Sequence, residues 1–267
     1  MKKYGLWAVA ACAAMAMGVS GCGGDDGKDS GKDDKKVTEQ ETKAPATNGV
    51  EKLTAKEIYE KGKTELTQAK SLRMQSEGKD EGQAMKMDLH LDTAGSCRGS
   101  MSMGEGGSFE LIKLGDKVWM KPDAAFWKTS MGAEGGGEQA AKLFEGKWLY
   151  GTTSDDMLKS MSEVCDLKSI QDEAAAEKPD TTMTKGSPTT VDGQQVIQVK
   201  GKNDDGAPTT ASIALTGKPY LVKIEETGAD ATTARFSDFD KPVDTQTPAQ
   251  NQTIDVAKME QELGAGA

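Results

Sequence analysis

The chain has 267 residues, with 33 basic side chains against 43 acidic ones and a formal charge of −10. That balance repels nucleic acid and gains nothing from anionic lipid headgroups, so charge recruits neither as a partner. The length, less a leader and a linker, leaves one domain of roughly 200 residues with a real core.

At the N-terminus Lys2 and Lys3 precede a run of small and apolar side chains over residues 5–18. The run is shorter than the ~20 apolar residues a bilayer crossing needs, and a basic start with a small-residue cut site describes a secretory signal. Val19-Ser20-Gly21-Cys22 follows, a branched apolar residue and two small ones ahead of a thiol. This is a lipobox pattern. Residues 1–21 are expected to leave as a signal peptide and Cys22 to carry a palmitate-type lipid, holding the protein on the extracytoplasmic face of the cell membrane. An ordinary secretory signal that happens to contain a cysteine is the alternative. Losing Lys2 and Lys3 from the 33 basic residues, against 43 acidic ones, takes the charge to −12.

Removal of the signal also removes Cys12, and acylation uses Cys22, so Cys97 and Cys165 are left in the body. Outside the cytoplasm such a pair is expected to oxidise, and the loop it closes is worth about 4 kcal/mol on the chain-entropy model. Two buried thiols are the other possibility. Residues 22–49 read as the lipidated cysteine and a disordered, self-repelling tether, because almost no apolar side chain occurs there. Residues 50–267 are expected to form the single folded domain.

The body opens with Thr54 and Glu57 in a capping box, stapled by Leu53 and Ile58. Ala55, Ile58, Tyr59, Gly62, Leu66 and Ala69 then recur at helical spacing. Next, Met85, Met87, Leu89 and Leu91 alternate with polar residues, as do Met101 and Met103, which predicts half-buried antiparallel strands. Further strands are expected over 109–114 and 117–121, with Gly115-Asp116 as the turn. Helices are expected over 138–144 and 155–170, the second burying Met157, Leu158, Met161, Val164 and Cys165 on one face. After a Thr-rich connection, strands resume over 194–200, 209–215, 220–226 and 232–239, and a last helix over 254–263 closes the chain. Cys97 begins a strand, so the bridge is expected to pin the helical layer to the sheet.

The order of lipobox, tether, opening helix, strands, inserted helices and more strands resembles the actinobacterial LppX/LprG lipoproteins. The stretch over 109–127, FELIKLGDKVWMKPDAAFW, looks like that family's hairpin with a Trp closing the following segment. The resemblance covers roughly residues 53–239. It implies an α+β fold, a LolA-like half-barrel in which a curled antiparallel sheet packs over a few helices. It also implies an apolar cavity between them and a role in carrying or presenting an acyl-chain lipid or glycolipid in the cell envelope.

The residues that suit such a cavity are Met85, Met87, Leu89, Leu91, Met101, Met103, Met120, Met157 and Met161, because flexible thioethers re-pack around varied apolar ligands. The same pattern serves a filled core equally well. No catalytic residue, metal site or cofactor is expected. His90, the lone histidine, lies on the polar side of a strand and reads as solvated, with no nucleophile motif beside it. The acidic pairs at 25–26 and 33–34 read as solvating charge, and the Gly-rich stretches over 104–107 and 132–137 as mobile loops. The alternative function is an envelope interaction or sensor module that binds a protein or peptide partner.

Overall fold

A computed structural model of the protein describes residues 46–259, apart from 81, 133–134, 179, 181, 204–205 and 229–230. The expected signal, Cys22 and most of the tether lie outside the described residues.

Helix α1 (Ala55–Gln68) starts at the expected capping box. The Glu57 N–H donates to Thr54 Oγ1, and Thr54 N–H donates to Glu57 Oε2 at 2.9 Å. Its buried face is Ile58, Tyr59, Gly62 and Leu66. Gly62 lets the helix press onto the sheet, since a β-carbon there would stand 2.9 Å from the Ile213 side chain.

Twelve strands follow: β1 (Ser71–Asp80), β2 (Gln83–Asp92), β3 (Ser96–Ser102), β4 (Ser108–Leu114), β5 (Lys117–Pro122), β6 (Trp148–Thr152), β7 (Thr184–Val191), β8 (Gln194–Lys202), β9 (Pro208–Ala214), β10 (Leu221–Glu226), β11 (Thr232–Ser237) and β12 (Thr253–Asp255). They make one sheet in the order β12-β6-β5-β4-β3-β2-β1-β11-β10-β9-β8-β7. Neighbours pair antiparallel except β12, which joins β6 in parallel. The sheet is curled and unclosed, an α+β half-barrel.

Alternation sorts the two faces. Leu72 and Met74 stand opposite Leu91 and Leu89, and Leu111 opposite Met120, all turned to the concave side and buried. Five α-helices join this layer: α1, α2 (Ala124–Met131), α3 (Gly137–Leu143), α4 (Asp156–Ser162) and α5 (Leu167–Ala176), with a further helical turn over 256–259. Helix α1 lies on β8, β9, β10 and α5, whereas α4 lies on β5 and β6 and α2 on β4. Cys97 on β3 is bridged to Cys165, with Cα atoms 5.5 Å apart and both residues fully buried. Cys165 sits on a 3-10 turn (Glu163–Cys165) between α4 and α5, so the expected helix over 155–170 is broken there.

Other expectations are also corrected. Strands β1, β6, β7 and β12 and helix α2 were not anticipated, and the Thr-rich connection is edge strand β7. The last expected helix begins as β12 and turns helical only at 256. Of the Gly-rich stretches, 104–106 forms a 3-10 turn, and Gly107 is buried where a side chain would run into the Phe126 backbone nitrogen.

His90 faces the convex side as expected but is not solvated: its Nε2 is buried, with no hydrogen-bond partner among the described residues. The residue as a whole is half-buried beside Arg73, Asp88, Arg98 and Asp238, and the chain over 241–252 meets the same face at Arg98. Arg98, paired with His90 across the ladder, donates to the Gln246 carbonyl at 2.7 Å and meets Asp244 at 3.1 Å.

Candidate ligand recess

On the concave side near the β6 edge lies a recess of about 800 Å³, open to solvent. Such a volume falls within the roughly 300–1,000 Å³ of small-ligand sites. Helix α2 contributes Phe126, Trp127, Ser130 and Met131; Phe144 follows α3; Leu149 comes from β6. Helix α4 and its approach supply Ser154, Asp155, Asp156, Met157, Leu158 and Met161, and the chain end supplies Val256 and Met259.

Local sequence fixes each wall. Asp123 caps α2, accepting from Phe126 N–H at 2.7 Å and from Ser108 N–H and Oγ at 2.9 and 2.7 Å. Burial alone would raise the Asp123 carboxyl, but these donors outweigh it and hold the group below its ordinary value. The cap presents Phe126 and Trp127 inward. Their rings meet edge to face at 5.8 Å, and Trp127 lies tilted on Phe144 at 5.0 Å. At the opposite wall, Asp155 ties the approach to α4 down by accepting from Thr152 N–H at 2.7 Å. No lysine or arginine lines the recess; Asp155 and Asp156 are its charged residues.

Three large hydrophobic side chains stand exposed among the described residues, Met131 at 45%, Leu143 at 69% and Met157 at 38%. Met131 and Met157 line the recess, and Leu143 precedes its Phe144. Met131 and Met157 therefore carry exposed apolar surface to the rim of the recess.

The nine residues that suited a cavity fall into three places. Leu89, Leu91 and Met120 are in the filled core, at most 1% exposed. Met85, Met87, Met101 and Met103 are half-buried toward one end of β2 and β3, with Met87 and Met101 directly opposed. Met157 and Met161 alone reach the recess. Phe126, Trp127, Met131, Phe144, Leu149, Val256 and Met259 were missed. The signal that points to the first three was Asp123 as a cap before an apolar eight-residue segment.

LprF from Mycobacterium bovis is similar to this chain with a TM-score of 0.52 at 11% identity, over 73% of this chain and 97% of that one. The chain has the LppX/LprG-type fold. Lipoprotein LppX from Mycobacterium tuberculosis aligns over 72% of this chain and 98% of its own at 15% identity, with a TM-score of 0.44. The MucA/MucB complex of Pseudomonas aeruginosa aligns over 74% and 59% at 11% identity, with a TM-score of 0.30. No family model matches the sequence, and no curated protein does. On this LppX/LprG-type scaffold, no helix among the described residues is long and apolar enough to cross a membrane. Nor do the described residues group three or more His, Cys, Asp or Glu side chains in a metal-binding arrangement.

Proposed function

We propose that this protein is a lipoprotein, anchored through Cys22 to the extracytoplasmic face of the cell membrane, whose body binds, carries or presents an acyl-chain lipid or glycolipid. The observation that carries the reading is the recess of about 800 Å³ walled by Phe126, Trp127, Phe144, Leu149 and Leu158 and rimmed by exposed Met131 and Met157. Transfer of each methylene from water into such a site is favourable by about 0.8 kcal/mol, so a long chain binds on area alone. Thioethers at Met131, Met157, Met161 and Met259 suit an occupant of variable shape. The LprF-like fold supports the same reading.

Tryptophan fluorescence supplies the test. Trp127 lines the recess, whereas Trp119 and Trp148 pack in a separate cluster with Ile112 on the other face of the sheet. A fatty acyl chain brominated near its middle should quench Trp127 and leave the other two bright. In protein lacking residues 1–21, and with them Trp7, equal quenching of the three remaining tryptophans, or of none, would refute it.

The 69% exposure of Leu143 favours a second reading, in which the rim receives an apolar segment of an envelope protein. Cross-linking from position 143 in whole cells, yielding one discrete protein adduct with no lipid recovered by organic extraction, would favour that alternative.

A further inference from the structure

The chain after β11 connects the two faces of the sheet. Asp240 fixes its start beside β1, where the carboxylate accepts from Lys70 N–H at 2.9 Å and the Asp240 N–H donates to the Ser71 carbonyl at 2.9 Å. Residues 242–252 then form a strap that meets the convex face at Arg98 and, through Thr247 and Pro248, borders a hollow of about 640 Å³ beside Trp119 and Tyr150. The strap continues into β12, and two residues of the following turn, Val256 and Met259, wall the recess on the concave side.

Over 242–251 no main-chain hydrogen bond joins the strap to the sheet among the described residues. Beyond β12, two cationic side chains hold it. Arg98 on β3 donates to the Gln246 carbonyl at 2.7 Å and meets Asp244 at 3.1 Å, and Lys147, just ahead of β6, donates to the Asn251 carbonyl at 3.2 Å. Arg98 is the fixed partner. Its strand pairs along its length with β2 and β4, and the neighbouring Cys97 is bridged to Cys165. The strap is the movable one, since the strand it leads into joins β6 alone, over three residues.

We infer that Arg98 is a positioning residue for the recess: its hold on Asp244 and Gln246 at the convex face keeps β12 and the 256–259 turn seated on the concave side. This rests on the carrier reading and adds to it a control point remote from the bound chain. The strength of the hold suits a latch. The Arg98 and Asp244 side chains are 36% and 61% exposed, so the pair is weak and salt screens it, and the strap is released while the pairings of β2 to β5 stay shut. Arg235 is the matched control: its side chain is 35% exposed and pairs with Glu77 and Asp192, neither of them in the strap.

Candidates elsewhere carry less. Edge strand β7 is blunted against a partner strand by Lys185, Pro188 and a register shift. The Trp119 side chain, 9% exposed, gives the convex hollow no open aromatic platform.

The test uses the mature chain, residues 22–267, with its Arg98→Ala, Arg98→Lys and Arg235→Ala variants. Hydrogen exchange of the amides over 253–259 should accelerate about three- to tenfold in Arg98→Ala, the range for one partly exposed charge-assisted hydrogen bond, with β2 to β5 unchanged. Arg98→Lys, which keeps a charged donor, should fall between, and Arg235→Ala should match the wild type. Rising ionic strength should speed this exchange more in the wild type than in Arg98→Ala, which has no pair left to screen at that position. A brominated acyl chain should quench Trp127 faster in Arg98→Ala than in the wild type. Unchanged exchange over 253–259 in Arg98→Ala, or equal acceleration in β2 to β5, overturns the assignment of Arg98, and quenching of Trp127 in the wild type then leaves the carrier reading standing. Accelerated exchange with no quenching of Trp127 in any of the proteins keeps the latch and overturns the carrier reading.

Discussion

Removing the bridge between Cys97 and Cys165 should weaken the body by about 4 kcal/mol. The two residues are 68 apart in sequence, and the chain-entropy relation for a loop of that length gives about 15 cal/mol/K, or about 4 kcal/mol at 25 °C. For a domain of this size each kcal/mol moves the melting point by about 2–4 °C, so Cys97→Ala/Cys165→Ala should melt about 8–16 °C lower. Urea denaturation of the oxidised protein, the same protein under reductant, and the double variant measures it. Reduced wild type and double variant should agree, because both lose the same constraint. The loss should be uneven in space. Cys165 lies between α4 and α5, so the bridge ties the α4 wall of the recess to β3, and hydrogen exchange in α4 should accelerate before that in β2 to β5. A stability change under about 1 kcal/mol, or two free thiols in protein taken from the envelope, would refute the reasoning.

Cys22→Ser should appear in the medium or stall unprocessed; a processed, membrane-bound mutant would defeat the lipoprotein reading. Asp88→Asn should cost about 0.5–1 kcal/mol at pH 7, the range for a half-exposed pair, because Arg73 donates to Asp88 at 2.7 and 2.6 Å. The Arg73 guanidinium, with Gln75, holds the Asp88 carboxyl below its ordinary value, so this contribution is present above about pH 4 and fades as pH falls through the folded value. Urea midpoints of variant and wild type should therefore converge in acid. Asp123→Ala, which uncaps α2, should cost about 1 kcal/mol and also weaken acyl binding, since the same helix positions Trp127; a binding titration unchanged beside a lowered melting point would separate the two. Met120→Trp enters a filled core and should cost about 1–3 kcal/mol, whereas Met161→Trp enters the recess and should hold stability while abolishing binding. Equal thermal losses in the two would mean that the recess is not free volume.

Strand β2 was legible because its apolar residues alternate without interruption from Met85 to Leu91, and the β4–β5 hairpin because two apolar runs flank Gly115, which sits where the turn needs positive φ. Strand β1 was not, since its concave positions include Ser76 and Gly78, which dilute the alternation. Edge strand β7 is mostly exposed and carries Pro188 at a register shift, so it lacks an apolar face to read. Helix α2 spans only eight residues, too few for a helical period to stand out. The break at Glu163–Cys165 left no mark in the apolar spacing, which continues through it. The disulfide pairing was readable by elimination. The recess was not, because its walls come from four separated stretches, of which only the Met157, Leu158 and Met161 face had a pattern of its own, and they become a site only when the sheet brings α2, α4 and residues 256–259 together.

That division has a physical consequence for how a ligand enters and leaves. The core beneath β1 to β5 is closed by long strand pairings and by the bridge, so opening it would expose Leu72, Leu89, Leu91 and Leu111 together. The recess is walled differently. Val256 and Met259 follow a three-residue strand that joins β6 alone, and the α2 wall is a short helix held at its start by Asp123. Elements with so few backbone partners open at lower free energy than the sheet they rest on. Displacing the 256–259 turn would withdraw Val256 and Met259 from the core they pack on and widen the recess, while leaving the strand pairings of β1 to β5 in place. On the carrier reading proposed above, bound lipid has to be released, and a wall that yields before the strand pairings do would let the site admit chains of differing length while the half-barrel stays folded.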